Sequence, residues 1–178
     1  MKFFINLLTF FRLFSGPIIF ALLLLLLSPG IALILFILAG LSDYLDGYLA
    51  RKYSLESTFG EIMDPIADKI LALFLLISLI LYFDSIFIAI TGALMLSRDF
   101  WVNALRDYNS RNQLANATKV TFLAKLKTTA QFFTFGSFLL GIFLDNALII
   151  FLSNILLFAS MILSLQTALD YTKATLKN

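Results

Sequence analysis

The chain has 178 residues, 61% of them hydrophobic and 20 of them Phe, with a mean hydropathy of +0.96. Histidine and cysteine are absent, which excludes His- or Cys-ligated zinc, a Ser-His-Asp triad, a cysteine nucleophile and a phosphohistidine intermediate. Acid–base work falls to Asp, Glu, Lys or Tyr, and the net charge of +2 matters less than where the charges stand.

Six apolar segments of helix length run along the chain, at about 6–27, 31–50, 63–83, 86–108, 120–144 and 147–170. They predict an all-α integral membrane protein with six transmembrane helices. Residues Lys2 to Leu27 have the basic start and apolar run of a signal peptide. The run is long, however, and carries Asn6, Thr9 and Arg12 in its first half, which predicts a retained first helix. Ser28-Pro29-Gly30 breaks the first segment from the second. Pro17 predicts a kink in the first segment, and Pro65 is expected in the first turn of the third, where proline is tolerated. Arg106 to Lys119 is the longest loop-like stretch, and the tail from Tyr171 is expected to be frayed or interfacial. No repeat, low-complexity linker or second domain is visible, so residues 1–178 are expected to form one membrane domain.

The basic residues orient these segments. All 13 lie at the start of the first segment, around the 2–3 and 4–5 connections, or in the tail. The connections near Pro29, Asp84 and Asp145 carry no Lys or Arg. The positive-inside rule therefore puts both termini and both long connections in the cytoplasm.

Polar chemistry concentrates between Ser42 and Lys69, where Asp43, Asp46, Asp64 and Asp68 recur at fixed intervals. Asp43 and Asp46 lie about 60° apart on one face near the end of the second segment. Asp64 and Asp68 share a face at the start of the third. A short connection makes these segments antiparallel and brings both acidic pairs to the cytosolic edge. Four carboxylates stay ionised together in a low dielectric only when a cation neutralises them. Hard oxygen donors select Mg²⁺, Mn²⁺ or Ca²⁺, and carboxylates with substrate phosphates are a common Mg²⁺ arrangement. Gly47 and Ala50 let a bulky group approach the helix backbone, and Arg51 offers charge-assisted bonds to a phosphate. The plainer reading is an interfacial charged cap in which the acids pair with Arg51, Lys52 and Lys69.

The pattern Asp43-x2-Asp46-Gly47-x2-Ala50-Arg51-x8-Gly60-x3-Asp64-x3-Asp68 resembles the signature of the CDP-alcohol phosphatidyltransferases, with eight fixed positions in 26 residues. These membrane enzymes displace CMP from a CDP-activated lipid with an alcohol. The resemblance implies a six-helix fold, a homodimer, a cytosol-facing active site and a divalent metal, Mg²⁺ or Mn²⁺. It makes Asp43, Asp46 and Asp64 metal ligands and Asp68 both ligand and the base that deprotonates the acceptor. Gly47, Ala50, Arg51 and Gly60 would hold the CDP-lipid, with Asn6, Thr9 and Thr58 as candidate contacts to cytosine.

The acceptor must be read elsewhere. Ser97-Arg98-Asp99, Arg106 and Lys125-Leu126-Lys127-Thr128-Thr129-Ala130-Gln131 flank the 4–5 connection. These elements, with Asn6-Leu7-Leu8-Thr9-x-x-Arg12, resemble the branch of the family whose acceptor is sn-glycerol 3-phosphate. Two departures stand out: Ser97-Arg98-Asp99 where that branch has an Ala-Arg-Glu-type element, and Ala124 in place of a glycine. The resemblance implies CDP-diacylglycerol and glycerol 3-phosphate as substrates, with Arg98, Arg106, Lys125 and Lys127 around the acceptor phosphate. Arg98 stands inside an apolar run, where an unpaired charge costs about 3 kcal/mol, and Asp99 and Asp107 are candidate structural partners for these arginines. The expected home is a bacterial cytoplasmic (inner) membrane, with a mitochondrial one left open, and no nucleic-acid partner is expected. The alternatives are another acceptor (phosphatidylglycerol, inositol phosphate or serine) and a small cation channel or transporter. Acids clustered at one membrane face argue against a through-membrane pathway.

Overall fold

The computed structural model describes residues 2–53, 55, 57–112 and 122–177, with the side chains of 2, 3, 58, 59, 61 and 122–125 outside that description. The helices are α1 Lys2–Leu24, α2 Pro29–Lys52, α3 Thr58–Phe83, α4 Ile86–Arg111, α5 Phe122–Phe143 and α6 Ala147–Leu176. Among the described residues five helices, α1 to α4 and α6, are long and apolar enough to cross a membrane. The opening turns of α5 carry Lys125, Lys127, Thr128, Thr129 and Gln131, which lower its apolar character.

Local chemistry starts and stops these helices. Pro29 opens α2, where its missing N–H costs nothing. Ser57 accepts from the Gly60 N–H at 3.1 Å, Ser85 from Ile88 at 3.3 Å, and Asn146 from Leu148 and Ile149 at 3.0 and 3.2 Å. Each cap satisfies amide donors that the first helical turn leaves without partners. Leu27, Asp84 and Asp145 adopt left-handed backbone, with φ of 48°, 46° and 47°. They sit in the three connections that lack basic residues, and each folds two consecutive helices back on one another.

Two expectations are corrected. Pro65 is not in the first turn of α3: the Ser57 cap starts that helix at Thr58, which puts Pro65 about two turns inside. The tail is not frayed either, because α6 continues to Leu176 with Tyr171 and Thr175 buried. Its 30 residues reach about 45 Å, against about 30 Å for a bilayer core. The overrun docks on the end of α4: Asn109 donates to Thr175 at 2.8 Å and Trp101 to Thr172 at 2.9 Å.

The helices form a closed ring in the order α1, α2, α5, α6, α4, α3, each packed on its two neighbours. The α1 helix thus stands between α2 and α3. One continuous apolar core, including Leu23, Phe36, Leu75, Ile88, Phe138 and Leu157, fills the half of the ring at the three tight turns. Apart from Asp84 and Asp145 in the turns themselves, the charged side chains of the described residues gather at the other half. Large apolar side chains also face outward, among them Phe14, Ile34, Leu81, Ile90, Phe133 and Phe151. That surface suits a hydrocarbon solvent. Hydroxyls inside the ring bond their own helix, as Ser15 does to the Phe11 carbonyl and Ser78 to Phe74, both at 2.7 Å. Others tie α5 to α6, through Ser153 to Ser137 at 2.8 Å and Thr134 with Ser160 at 3.1 Å.

Gly16 sets the approach of α1 to α3. A Cβ there would stand 3.1 Å from the Leu71 Cα and 3.2 Å from the Ile70 carbonyl oxygen, both backbone atoms that cannot swing aside. Gly16→Val should therefore cost about 1–3 kcal/mol by overpacking. The measurement is thermal unfolding in detergent, and a wild-type Tm would show that the two helices are not held this closely.

Candidate active site

The acidic residues of α2 and α3 do not meet each other directly. They meet on Arg12 of α1, which is 1% exposed. Arg12 Nη1 donates to Asp43 Oδ1 and, at 3.0 Å, to Asp68 Oδ1. Nη2 donates to Asp46 Oδ2 and Asp64 Oδ1, each at 3.0 Å. Asp46 is buried, whereas the side chains of Asp43, Asp64 and Asp68 are 53%, 40% and 52% exposed and open toward the polar end of the ring. The helix spacing explains the convergence: one face of α2 supplies Asp43 and Asp46, one face of α3 supplies Asp64 and Asp68, and α1 projects a long cation between them. Among the described residues every ion pair of these four aspartates goes to Arg12, not to Arg51, Lys52 or Lys69 as the interfacial-cap reading expects.

Neighbouring residues fix this arrangement. Thr9, one turn before Arg12 and also buried, donates to Asp64 Oδ1 at 3.0 Å. Asn6 lies a turn earlier and is partly buried. The Arg51 guanidinium folds back over Gly47, whose missing Cβ would lie 3.7 Å from both Nη atoms. A Cβ on Gly60 would stand 3.9 Å from Asp64 Oδ2. Ala50 is partly buried on the same helix. The Thr58 and Lys125 side chains lie outside the described residues.

A second charged cluster joins α4, α5 and α6. Asp99 Oδ1 accepts from Arg98 Nη1 at 2.9 Å and from Lys127 Nζ at 2.6 Å. Arg98 also donates through Nε to the Ser164 carbonyl at 2.8 Å and through Nη2 to the Thr167 hydroxyl. Arg98 and Lys127 are buried, 8% and 7% exposed, so two cations share one carboxylate in a low-dielectric setting and leave an excess positive charge. Lys69, next to Asp68, is near enough to Lys127 for the two cations to repel. Arg106 stands apart, with its guanidinium 5.6 Å from the Tyr171 ring. Asp107 pairs with Arg111 at the exposed end of α4, so of the two structural partners expected for the arginines only Asp99 reaches Arg98.

The comparison with known proteins bears on what these clusters are for. Residues 4–166 match the family model of the CDP-alcohol phosphatidyltransferases. The chain belongs to that family. It is 36% identical over 138 residues to a CDP-diacylglycerol–glycerol-3-phosphate 3-phosphatidyltransferase of Wigglesworthia glossinidia brevipalpis, covering 78% of this chain and 74% of the relative. It is 35% identical over 145 residues to the protein of the same name from Haemophilus influenzae, covering 79% and 78%. The Escherichia coli protein of that name is 29% identical over 147 residues, covering 83% and 79%.

As a CDP-alcohol phosphatidyltransferase, the chain is expected to use a divalent metal, and the donor set can be tested against that. Four hard carboxylate oxygens converge from two helices, which suits Mg²⁺ or Mn²⁺. Their present spacing is that of a guanidinium fork: among the described residues no three acidic side chains close on a point as ion ligands do. Sequence reasoning treated Arg12 as a flanking charge. The available signal was a cation inside an apolar run, a position that is functional by default. Ser164 and Thr167, which hold Arg98, carried no signal, because Ser and Thr are ordinary in membrane helices.

Asp99→Asn should leave two buried cations without their shared anion and cost about 3–5 kcal/mol. Asp107→Asn, at the exposed pair, should stay within about 0.5 kcal/mol of wild type. Thermal unfolding of both variants checks this, and equal Tm values would contradict the buried-cluster description.

Proposed function

We propose that this CDP-alcohol phosphatidyltransferase moves the phosphatidyl group of CDP-diacylglycerol onto sn-glycerol 3-phosphate, giving phosphatidylglycerophosphate and CMP. One observation carries the reading: the four signature aspartates gather around the Arg12 guanidinium, across the ring from a buried cluster with excess positive charge. The names of the relatives support the choice of substrates.

The acceptor 1-hydroxyl attacks the β-phosphorus of the CDP-lipid, the bond to the bridging oxygen breaks, and CMP leaves with the electron pair. Asp68, exposed toward the opening, takes the hydroxyl proton, which makes a poor nucleophile competent. Asp43, Asp46 and Asp64, with Asp68, would hold Mg²⁺ or Mn²⁺, which would supply positive charge against the pyrophosphate. Gly47, Ala50 and Gly60 leave room for the nucleotide, and Arg51 reaches its phosphates. Asn6, Thr9 and Thr58 border the cytosine. Arg98, Lys127 and Lys125 attract the acceptor phosphate, with Arg106 at the rim; a dianion offsets the surplus charge that Asp99 leaves.

The distribution of basic residues supports six spans, including α5, with both termini and the active site facing the cytoplasm. The bacterial relatives support a place in the inner membrane, and the family resemblance supports a homodimer built from one membrane domain per chain.

Asp68→Asn should lower CMP release by at least about 10²-fold while CDP-diacylglycerol binding is retained; substantial residual turnover would refute Asp68 as the base. Lys127→Ala and Lys125→Ala should mainly raise the KM for glycerol 3-phosphate. A change confined to the KM for the CDP-lipid would contradict the acceptor pocket.

A further inference from the structure

We propose that Thr167 of α6 is a positioning residue for the acceptor phosphate, and that it acts by fixing the guanidinium of Arg98. The proposal rests on the reading of Arg98 and Lys127 as the acceptor-phosphate site.

Arg98 and Asp99 are consecutive on α4, and neighbouring residues on a helix diverge by about 100° and do not face each other. The 2.9 Å bond from Arg98 Nη1 to Asp99 Oδ1 is therefore not one that α4 arranges alone. The Arg98 side chain has to be turned and held, and α6 does this with two oxygen atoms. The Ser164 carbonyl accepts from Nε at 2.8 Å, and the Thr167 hydroxyl accepts from Nη2. Each nitrogen of the guanidinium thus has its own acceptor, which fixes the plane of the group.

The direction of the Thr167 hydroxyl is set as well. Its proton goes to the Ser164 carbonyl at 2.7 Å, so its lone pairs are what it presents to Arg98. Both Thr167 and Arg98 are buried, so bulk water does not replace this acceptor when it is removed.

The consequence reaches beyond Arg98. Asp99 Oδ1, which receives Nη1, also receives Lys127 Nζ at 2.6 Å. One line of polar contacts therefore runs from Thr167 on α6 through Arg98 and Asp99 on α4 to Lys127 on α5. Thr167 sets where Nη1 stands relative to Lys127, and with it the spacing of the two cations that a phosphate would bridge. Without the hydroxyl the guanidinium keeps its charge and loses its fixed plane. That weakens binding of the acceptor and leaves the CDP-lipid, on the acidic side of the ring, unaffected.

The test uses the full chain in detergent and reads CMP release while glycerol 3-phosphate and CDP-diacylglycerol are varied in turn. Thr167→Val keeps the shape without the hydroxyl. It should raise the KM for glycerol 3-phosphate about fivefold or more, with kcat and the KM for CDP-diacylglycerol within about twofold of wild type. Thr167→Ser restores the hydroxyl and should restore the KM. Thr175→Val controls for a purely structural effect: it removes another buried α4–α6 bond, from Asn109 at 2.8 Å, and should lower Tm without moving either KM. If Thr167→Val is not recovered, Thr167→Ala carries the test with the same expected shift. The positioning role is overturned by an unchanged KM for glycerol 3-phosphate, by an equal rise in Thr175→Val, or by a KM that Thr167→Ser leaves raised. Lys127→Ala separates this role from the reading beneath it. If Lys127→Ala raises the KM for glycerol 3-phosphate and the Thr167 variant does not, the acceptor site stands and the positioning role falls. If neither moves it, or the wild type does not use glycerol 3-phosphate, both fall.

Discussion

The structure depends on how it accommodates negative charge in an apolar bundle. Asp43, Asp46, Asp64 and Asp68 stand on two helices that barely touch, and the Arg12 guanidinium on α1 joins all four. Arg12 and Asp46 are buried, and breaking a buried charge contact costs several kcal/mol, so this junction ties α1 to α2, with the more exposed Asp64 and Asp68 extending it to α3. Gly16 belongs to the same constraint. It lies one turn beyond Arg12, and a Cβ there would press on the α3 backbone at Ile70 and Leu71, just beyond Asp68, so its absence suits the close approach of the two helices that the Arg12 contacts span. Thr9, one turn before Arg12, holds Asp64 from the other side.

The ring separates two kinds of chemistry along its length. Leu23, Phe36, Leu75 and Phe138 belong to the dry half beside the tight turns, where apolar packing is continuous. The other half carries the acidic junction on α1, α2 and α3 and the Arg98–Asp99–Lys127 cluster on α4, α5 and α6. A CDP-alcohol phosphatidyltransferase has to bring a membrane-bound donor and a water-soluble acceptor to one place. Two opposed charged clusters at the wet end of an apolar ring meet that need. The overrun of α6 extends the same plan, since Asn109–Thr175 and Trp101–Thr172 bonds stiffen the α4–α6 wall where Arg98 is anchored.

Much of this was legible in the sequence. Hydropathy located all six helices, with the start of α3 and the end of α6 furthest from the expected bounds, because a run of about 20 apolar residues has few other solutions. The intervals between Asp43, Asp46, Asp64 and Asp68 gave the family. What stayed hidden depends on contacts between distant residues. The place of Arg12 inside an apolar run marks it as unusual, but its four partners stand 31 to 56 residues away in the chain, and the ring order that puts α1 between α2 and α3 is set by packing. Ser57, rather than the first apolar residue, sets the start of α3, so Pro65, expected in the first turn, stands about two turns inside. The tail was read as frayed because its polar residues look solvated, whereas Thr172 and Thr175 bond across to α4.

The most direct test is CMP release from CDP-diacylglycerol by the purified protein with Mg²⁺ or Mn²⁺, across glycerol 3-phosphate, serine, inositol, inositol phosphate and phosphatidylglycerol, with EDTA as the control. The account predicts release with glycerol 3-phosphate alone, abolished by EDTA. Release with a different acceptor would contradict the role given to Arg98 and Lys127, and no release from folded protein with any acceptor would contradict the transferase reading itself.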